Sequence, residues 1–310
     1  MAKYILKRIL LVIPVVLAVT VIVFWLSHMA AGDPARIMAE KRFNHPTAVQ
    51  IEQIREEMGL TLPVHRQYLK WLSGALRGDF GISYSSGKPA LSMLASRLPK
   101  SLKIGGVAIM LLLAVAFPLG ILSAVYPGSI LDRVVQVLSF FSVSMPSFWL
   151  ALMLLYVFGV KFKVISVIGK EGGTSPFFPA LAMDIGYFGI LTRLIRTNLL
   201  HVLQEDYIRA CRAKGLSAVK TIVRHGLRNA MLPILARMTS MLVALLMGSS
   251  IIESIFSIQG VGNLALQSVM GKDTPVLQCY IVIITCCIVL ANLGADILYT
   301  VLDRRIRLDA

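Results

Sequence analysis

Long stretches with few or no charges recur along the chain, and short charged segments separate them. Each approaches or exceeds the roughly 20 residues that an α-helix needs to cross the hydrocarbon core of a bilayer. The six stretches are Ile9–Gly32, Ile104–Leu131, Val134–Val160, Phe177–Leu194, Asn229–Ile252 and Thr274–Ala295, the last extending to Leu302. This pattern predicts six transmembrane helices.

The first stretch follows Lys3, Lys7 and Arg8, as the apolar part of a signal peptide would. Its apolar run is longer than the roughly 7–15 residues typical of that part, and no small-x-small cleavage site follows it cleanly. We therefore expect residues 1–32 to be a retained N-terminal anchor helix.

The composition agrees with a membrane protein. Hydrophobic residues make up 56% of the 310-residue chain and charged residues 15%, whereas soluble domains have about 45–50% and about 25%. The mean hydropathy is +0.75. A soluble protein of this size has too little interior for so many apolar side chains, so the composition excludes that class.

The net charge of +15 would suggest nucleic acid in a soluble protein, but Lys and Arg also concentrate in cytoplasmic loops of membrane proteins. With the N-terminus inside, the cytoplasmic segments hold fifteen Lys and Arg and the short outer segments four. The long loop 33–103 is not counted, because long loops translocate largely regardless of charge. We therefore predict cytoplasmic termini and no nucleic-acid partner.

The loop 33–103 is too long for a simple connection and contains helical patterns. Thr47–Met58 is amphipathic, and a second amphipathic piece starts at Pro63. The segments Gly78–Gly81 and Ser83–Lys88 are typical of turns. We predict a small folded extracytoplasmic unit, which is either a docking platform for a soluble partner or a lid that packs on the bundle.

The inner loop at about 201–228 predicts two short helices, Gln204–Lys214 and Ser217–Ala230. Gly215 ends the first, as a glycine after a helix commonly does, and Ser217 is a favourable N-cap for the second. Such a protrusion fits a groove on another protein. The alternative is a basic amphipathic hairpin that lies on anionic lipid.

At this loop the chain resembles the EAA loop of ABC-importer permeases, and more closely that of the peptide and nickel permease family. The resemblance rests first on Asp206–Leu216 and Arg228–Pro233. Further matches lie at Asp33-Pro34, Gly59-Leu60, Gly78–Gly81, Ser144–Trp149, Glu253 with Phe256, Gly260–Gly262, Asp273–Val276, Asp296 and Leu302–Arg307. Gln259 and Arg304 stand where the family usually has proline. Each match is weak, but their common order covers nearly the whole chain.

The resemblance implies an all-α integral membrane protein of the type I ABC-importer permease kind, with a cytoplasmic coupling helix and a core permease domain over 104–310. It implies a bacterial inner-membrane location and three kinds of partner: a second permease subunit, two ATP-binding subunits and an extracytoplasmic solute-binding protein. Membrane lipid surrounds such a subunit. ATP and Mg are expected on the partner subunits, and no cofactor is expected on this chain.

The chain is not expected to be an enzyme. A phosphate-binding loop requires G-x-x-x-x-G-K-S/T, and the nearest segment, Gly169-Lys170-Glu171, has the wrong third residue. The sequence also lacks H-E-x-x-H and G-x-S-x-G. The four cysteines show no disulfide pattern and the five histidines no ligand spacing, so no metal site is predicted, although His28 is the best candidate.

The resemblance also implies which residues transmit the work of ATP hydrolysis. The expected coupling residues are Arg209, Ala210, Ala213, Lys214, Gly215, Leu216, Asn229 and Pro233. Small side chains at Ala210 and Ala213 allow close docking, and Gly215 permits a tight turn. A Gly215→Asp substitution is expected to abolish transport while the protein still inserts.

The candidate residues of the translocation pathway are Asp184, Pro146, Glu253 and Asp296. An ionisable residue inside the membrane is costly and is a functional candidate for that reason. Asp184 either meets a cationic cargo or forms a hydrogen bond with Tyr187 or a serine. Asp296 favours a structural pairing, for which Arg237 is the candidate, and Pro146 predicts a kink.

The expected function is transport by alternating access in an ATP-driven importer, with the chain forming half of the pathway. The segments Ser144–Trp149 and Pro275–Cys279 slightly favour nickel, free or chelated, as the cargo. Import of dipeptides or oligopeptides is the alternative. Remoter alternatives are an ATP-independent transporter or channel, and a scaffold whose basic inner loop binds lipid.

Overall fold

The computed structural model describes residues 2–29, 32–43, 45–164 and 175–302. Within these ranges, side chains are described except for residues 2–9, 232, 236 and 295–302. The described chain is helical, apart from turns, loops and an isolated antiparallel bridge between Ile82 and Pro89. The prediction of an all-α protein is confirmed.

The helices follow one another closely along the chain. They are α1 (Ala2–Met29), α2 (Pro34–Arg42), α3 (Ala48–Glu57), α4 (Val64–Ala75), α5 (Ala90–Val125), α6 (Ile130–Ser144), α7 (Ser147–Leu154, continuing as the π-helix Leu155–Lys161), α8 (Phe177–Leu203), α9 (Asp206–Ala213), α10 (Ala218–Lys220, followed by the π-helix Thr221–Leu227), α11 (Arg228–Leu246), α12 (Ser250–Ile255), α13 (Val261–Met270) and α14 (Thr274–Leu302).

Five helical segments of the described chain are long and apolar enough to cross a membrane, or up to six if the bent pair formed by α6 and α7 is counted as one span. The pair bends by 99°, which is a larger bend than the kink predicted at Pro146 within the span Val134–Val160. Met145 is extended, with φ −86° and ψ 123°, because a residue before proline is pushed out of the helical region. Helix α6 therefore ends at Ser144, and α7 begins after Pro146.

The chain forms two compact units, whose boundaries fall within α5, α13 and α14. The first contains residues 100–262 and the described residues from 291, and the second contains residues 2–99 and 263–290. The predicted division into residues 1–32, 33–103 and 104–310 stays a prediction.

In the first unit, α8 packs against α6, α7 and α11. Leu191, Ile195 and Leu199 of α8 are fully buried in the apolar core. Small residues allow the helices to approach closely, as is common in membrane bundles: at Gly189 the backbone of α8 lies directly against Ser139 and Ser142 of α6.

In the second unit, α2 and α3 pack around Ala35, Ala39 and Ile54. Thr47 forms a reciprocal capping box with Gln50 at the start of α3, so the predicted amphipathic helix is confirmed. Pro63 precedes α4 as predicted. Helix α5 begins at Ala90 rather than Ile104, because the polar residues before the apolar run continue the helix.

Candidate coupling site and buried charges

The predicted coupling helix is present as α9. It begins after Glu205, whose extended backbone has φ −68° and ψ 148°, and Asp206 lies in the first turn, where a negative charge is favourable. Gly215 has a φ of +77°, a left-handed conformation that favours glycine. Its N–H donates to the Arg212 carbonyl over 3.0 Å. The predicted stop at Gly215 is confirmed.

Two contacts hold α9 on the first unit. Ile208 is completely buried, and the Asn229 Nδ2 atom donates a hydrogen bond to the Tyr207 Oη atom over 2.8 Å. Asn229 was predicted as a coupling residue, and in the structure it connects α9 with the first turn of α11. Ile208 and Tyr207 were not predicted, although an apolar residue within a basic loop was a usable signal.

The predicted coupling residues of α9 itself are accessible. Arg209, Ala210, Ala213, Lys214 and Gly215 are exposed, and Leu216 is partly buried. A side chain at Gly215 would meet no atom of the described chain within 4 Å. The small-residue face of α9 is therefore open to a partner.

The second predicted helix of the loop continues beyond its predicted end. Ser217 caps it as predicted, accepting a hydrogen bond from the Lys220 N–H over 3.4 Å. The helix does not end at Ala230 but continues through the π-helix into α11, which contains Pro233. Because it is continuous with a candidate span, this segment connects the loop directly to the bundle.

Asp132 is the centre of a buried polar cluster that the sequence did not predict. Its side chain is 1% exposed, and Arg196 donates to both carboxylate oxygens over 2.7 and 2.8 Å. Ser123 of α5, the Gly128 N–H and Gln136 also donate to it. Bidentate pairs of this kind are the stronger ion pairs of proteins. They connect the α5–α6 turn with α8, the helix that leads into α9.

Asp184 lies in the first third of α8 and is 5% exposed. Neither of its carboxylate oxygens has a hydrogen-bond partner among the described residues. The predicted hydrogen bond to Tyr187 or a serine is therefore not formed in this structure. A buried polar group without a partner costs several kcal/mol, in order of magnitude, so Asp184 stays a candidate for a functional role.

Glu253 of α12 lies in a closed cluster. It is 1% exposed and accepts a hydrogen bond from the Ser101 hydroxyl over 2.6 Å, while that hydroxyl accepts from the Val261 N–H over 2.8 Å. A side chain at Gly260 would overlap the Glu253 carboxylate. Glu253 therefore connects α12 with α5 and, through the Ser101 hydroxyl, with the start of α13.

Two pathway candidates remain, Pro146 and Asp296. Pro146 lies at the break between α6 and α7. Asp296 lies in α14, but its side chain is outside the described residues, and so is its predicted pairing with Arg237.

A further polar cluster lies in the second unit. The Asp273 carboxylate accepts hydrogen bonds from the N–H groups of Tyr84 and Ser85 and from the hydroxyls of Ser83 and Ser85, over 2.5–3.1 Å. Burial, together with the nearby Asp273 charge, raises the pKa of Tyr84 to about 12. These bonds fix the turn before α5 to the start of α14. The described chain contains no group of three or more His, Cys, Asp or Glu placed to hold a metal ion.

Comparison with known proteins identifies the class. A solved structure of the MetNI methionine ABC transporter in inward-facing conformations has a TM-score of 0.58 at 20% identity and covers 69% of this chain and 98% of that chain. The likeness shows the fold, which is that of an ABC-transporter permease of the type I importer kind.

The sequence comparisons identify the family. The family described as binding-protein-dependent transport system inner membrane component matches residues 116–308, and its N-terminal counterpart matches residues 1–105. The oligopeptide transport system permease protein AppB of Bacillus subtilis (strain 168) is 36% identical over 317 residues, and the glutathione transport system permease protein GsiC of Escherichia coli (strain K12) is 34% identical over 307. Each alignment covers 99% of both chains.

The chain therefore belongs to the binding-protein-dependent transport system inner membrane components, and it is an ABC-importer permease of the peptide family. These relatives give no support to the predicted preference for nickel. The alternative, a permease of the peptide kind, fits them better. The segments that suggested nickel, Ser144–Trp149 and Pro275–Cys279, thus do not identify the cargo.

Proposed function

We propose that this chain forms half of the pathway of an ATP-driven importer for short peptides, and that α9 couples the pathway to ATP hydrolysis on separate subunits. The observation that carries the coupling role is the open small-residue face of α9. It ends at a left-handed Gly215, where an added Cβ would meet no atom of the described chain within 4 Å. The peptide cargo is supported by relatives named as oligopeptide and glutathione permeases.

The proposed assembly contains a second permease subunit, two ATP-binding subunits and an extracytoplasmic solute-binding protein. Cytoplasmic termini would place α9 on the side of the ATP-binding subunits. A peptide cargo arrives on the other side, where residues 33–89 of the second unit would face the solute-binding protein.

Transmission would run from α9 into α8, because only Gln204 and Glu205 separate these helices. The Arg196–Asp132 pair joins the same end of α8 to the α5–α6 turn. When the ATP-binding subunits close, a displaced α9 would therefore move α8, α5 and α6 together. Such rigid-body movement is a common basis of alternating access.

Uptake measurements test the cargo. Cells that lack this chain, and the same cells complemented with it, receive labelled dipeptide, labelled glutathione or radioactive nickel in separate arms. We expect dipeptide accumulation to depend on the chain and nickel accumulation to be independent of it. Dependence of nickel alone would contradict the proposed cargo.

Gly215→Asn tests the coupling role, with Gly128→Asn as the matched control. Both glycines have positive φ, +77° and +75°, and neither has an atom within 4 Å of an added Cβ. Asn tolerates the left-handed conformation, so both variants should insert at normal levels. We expect Gly215→Asn to reduce peptide uptake at least tenfold and Gly128→Asn to leave it near normal. Equal uptake by both variants would show that α9 does not dock closely at Gly215.

A further inference from the structure

The second unit contains a cavity of about 720 Å³ whose walls come from several helices. The C-terminal part of α1, helix α4, the segment 79–84 and the first turn of α14 all contribute to it. Its size lies within the range of small-molecule sites, roughly 300–1,000 Å³. The cavity involves none of the coupling residues and none of the candidate pathway residues.

One wall is aromatic. The ring centroid of Trp71 lies 5.8 Å from that of Phe24 and 6.4 Å from that of Phe80. Phe24 and Phe80 are buried, so the packing fixes their rings. Rigid aromatic surface of this kind takes an apolar side chain at little cost in conformational entropy.

The Trp71 Nε1–H group is a donor without an acceptor. It is buried and has no hydrogen-bond partner among the described residues. A buried donor of this kind usually finds a partner, and Trp71 is one of the residues that line the cavity. Gln278, 6% exposed, adds a side-chain amide to the lining.

Two of the charges that line the cavity are already neutralised. Arg55 pairs with Asp33 over 2.5 Å, and Asp33 also caps α2 at the Ala35 N–H. Gln67 is also occupied, because its amide donates to the carbonyls of Leu60 and Leu62. These groups form part of the wall and have little capacity left for a ligand.

Lys70 and Asp79 are different, because no ion pair between charged side chains is found for either within the described chain. Among the described residues, Asp79 accepts a hydrogen bond from the nearby Gly81 N–H. The Lys70 Nζ atom lies 3.3 Å from the position of a Cβ on Gly59, which also lines the cavity. An exposed ammonium and an exposed carboxylate are therefore part of the same lining as the aromatic wall.

We propose that this cavity binds the zwitterion of a short peptide, with the peptide carboxylate at Lys70, its ammonium at Asp79 and an apolar side chain against Trp71 and Phe24. Charge complementarity selects this occupant, since a fatty acid would leave Asp79 without a counter-charge. The inference deepens the proposed function and rests on it for the identity of the cargo.

Tryptophan fluorescence of the full chain in lipid nanodiscs provides the binding assay. The substitutions Trp25→Phe and Trp149→Phe leave Trp71 as the remaining tryptophan of three. Leucyl-leucine should change the Trp71 fluorescence in a saturable way. Its C-terminal amide and its N-acetyl derivative should each bind about tenfold more weakly, the loss of one charge-assisted contact. Equal binding of all three ligands would overturn the proposal.

Single substitutions test which charged group of the peptide each residue binds. Lys70→Met should weaken binding of the free peptide about tenfold and leave binding of its C-terminal amide unchanged. Asp79→Asn should weaken binding of the free peptide about tenfold and leave binding of its N-acetyl derivative unchanged, while it retains the contact with the Gly81 N–H. Lys88→Met, an exposed lysine of the same unit that does not line the cavity, is the matched control. The proposal fails if Lys70→Met and Lys88→Met behave alike, or if oleate displaces the peptide.

The same variants separate this inference from the import of peptides. Chain-dependent peptide uptake without peptide binding to the purified chain overturns the cavity site alone. Binding that depends on Lys70 and Asp79, without chain-dependent uptake, supports the cavity site and contradicts import. Binding and uptake that fall together in Lys70→Met support both.

Discussion

At the scale of single residues, Asp132 connects parts of the chain that are far apart in sequence. Arg196 lies 64 residues away, and both of its contacts to Asp132 are shorter than 3 Å. Removal of Asp132 leaves the charge of Arg196, whose side chain is 20% exposed, without its partner, and the cost should be below the roughly 3–5 kcal/mol typical of a fully buried pair. We expect Asp132→Asn to lower the thermal unfolding midpoint of the purified protein, measured by tryptophan fluorescence.

The control is Arg133→Gln, because Arg133 is the next residue and is exposed. Its midpoint should remain near that of the unmodified chain. Asp132→Asn combined with Arg196→Gln should lose less stability than the two single changes added together, since residues in direct contact are not additive. Additive losses would contradict the proposed connection.

Asp184 presents the opposite situation, a buried carboxylate without a partner in the described chain. Asn has the same shape and removes the cost of a charge in the membrane. We expect Asp184→Asn to keep or raise the unfolding midpoint and to reduce peptide uptake at least tenfold, because a carboxylate in the pathway would bind the peptide ammonium. A lower midpoint with normal uptake would assign Asp184 a structural role.

Residues whose role depends on near neighbours in sequence were predictable, and residues whose role depends on distant ones were not. Ser217 and Gly215 act through bonds within three residues, so capping rules found them. Asp273 acts through Ser83, Tyr84 and Ser85, almost 190 residues away. The sequence placed Asp132 between two apolar runs and gave no sign that Arg196 would reach it.

At the scale of helices, the packing of α8 on α6 makes a direct prediction. Gly186 and Gly189 lie in the same helix, but an added Cβ meets nothing within 4 Å at Gly186, whereas at Gly189 it overlaps Ser139, Ser142 and Val143. Gly186→Ala should be neutral or stabilise by up to about 1 kcal/mol through helix propensity. Gly189→Ala should destabilise by about 1–3 kcal/mol through overpacking.

Thermal unfolding of the two purified variants checks this difference. Because both changes are Gly→Ala in α8, their effect on propensity is matched and the difference reports the contact with α6. Equal midpoints would mean that α6 and α8 do not approach as closely as the structure shows.

Helix positions followed from apolar periodicity, whereas helix shapes did not. The starts of α3 and α4 agree with the predicted positions, because Thr47 and Pro63 are strong local start signals. The 99° bend at Met145-Pro146 exceeds the predicted kink. A proline shows where a helix is interrupted, but the packing of the following segment, here α7 on α8, determines its direction.

At the scale of the whole molecule, the distribution of Lys and Arg predicts the orientation. Lys88 lies in the turn before α5 and Ala218 is the first residue of α10, and both are exposed. In a chain whose four cysteines are replaced, Lys88→Cys and Ala218→Cys each provide one accessible thiol. With cytoplasmic termini, Lys88→Cys should react with a membrane-impermeant maleimide in intact cells, and Ala218→Cys only after permeabilisation.

This experiment separates charge bias from the arrangement that coupling requires. The positive-inside rule depends on short loops, and the basic segment 193–228 supplies eight of the fifteen inner charges. The reverse labelling pattern would place α9 outside, where no ATP-binding subunit can reach it, and the coupling proposal would fail with the orientation. Labelling of both thiols in intact cells would place them on the same side, so that an even number of segments, or none, crosses the membrane between them. The three candidate spans α5, α6–α7 and α8 could then not all be complete spans.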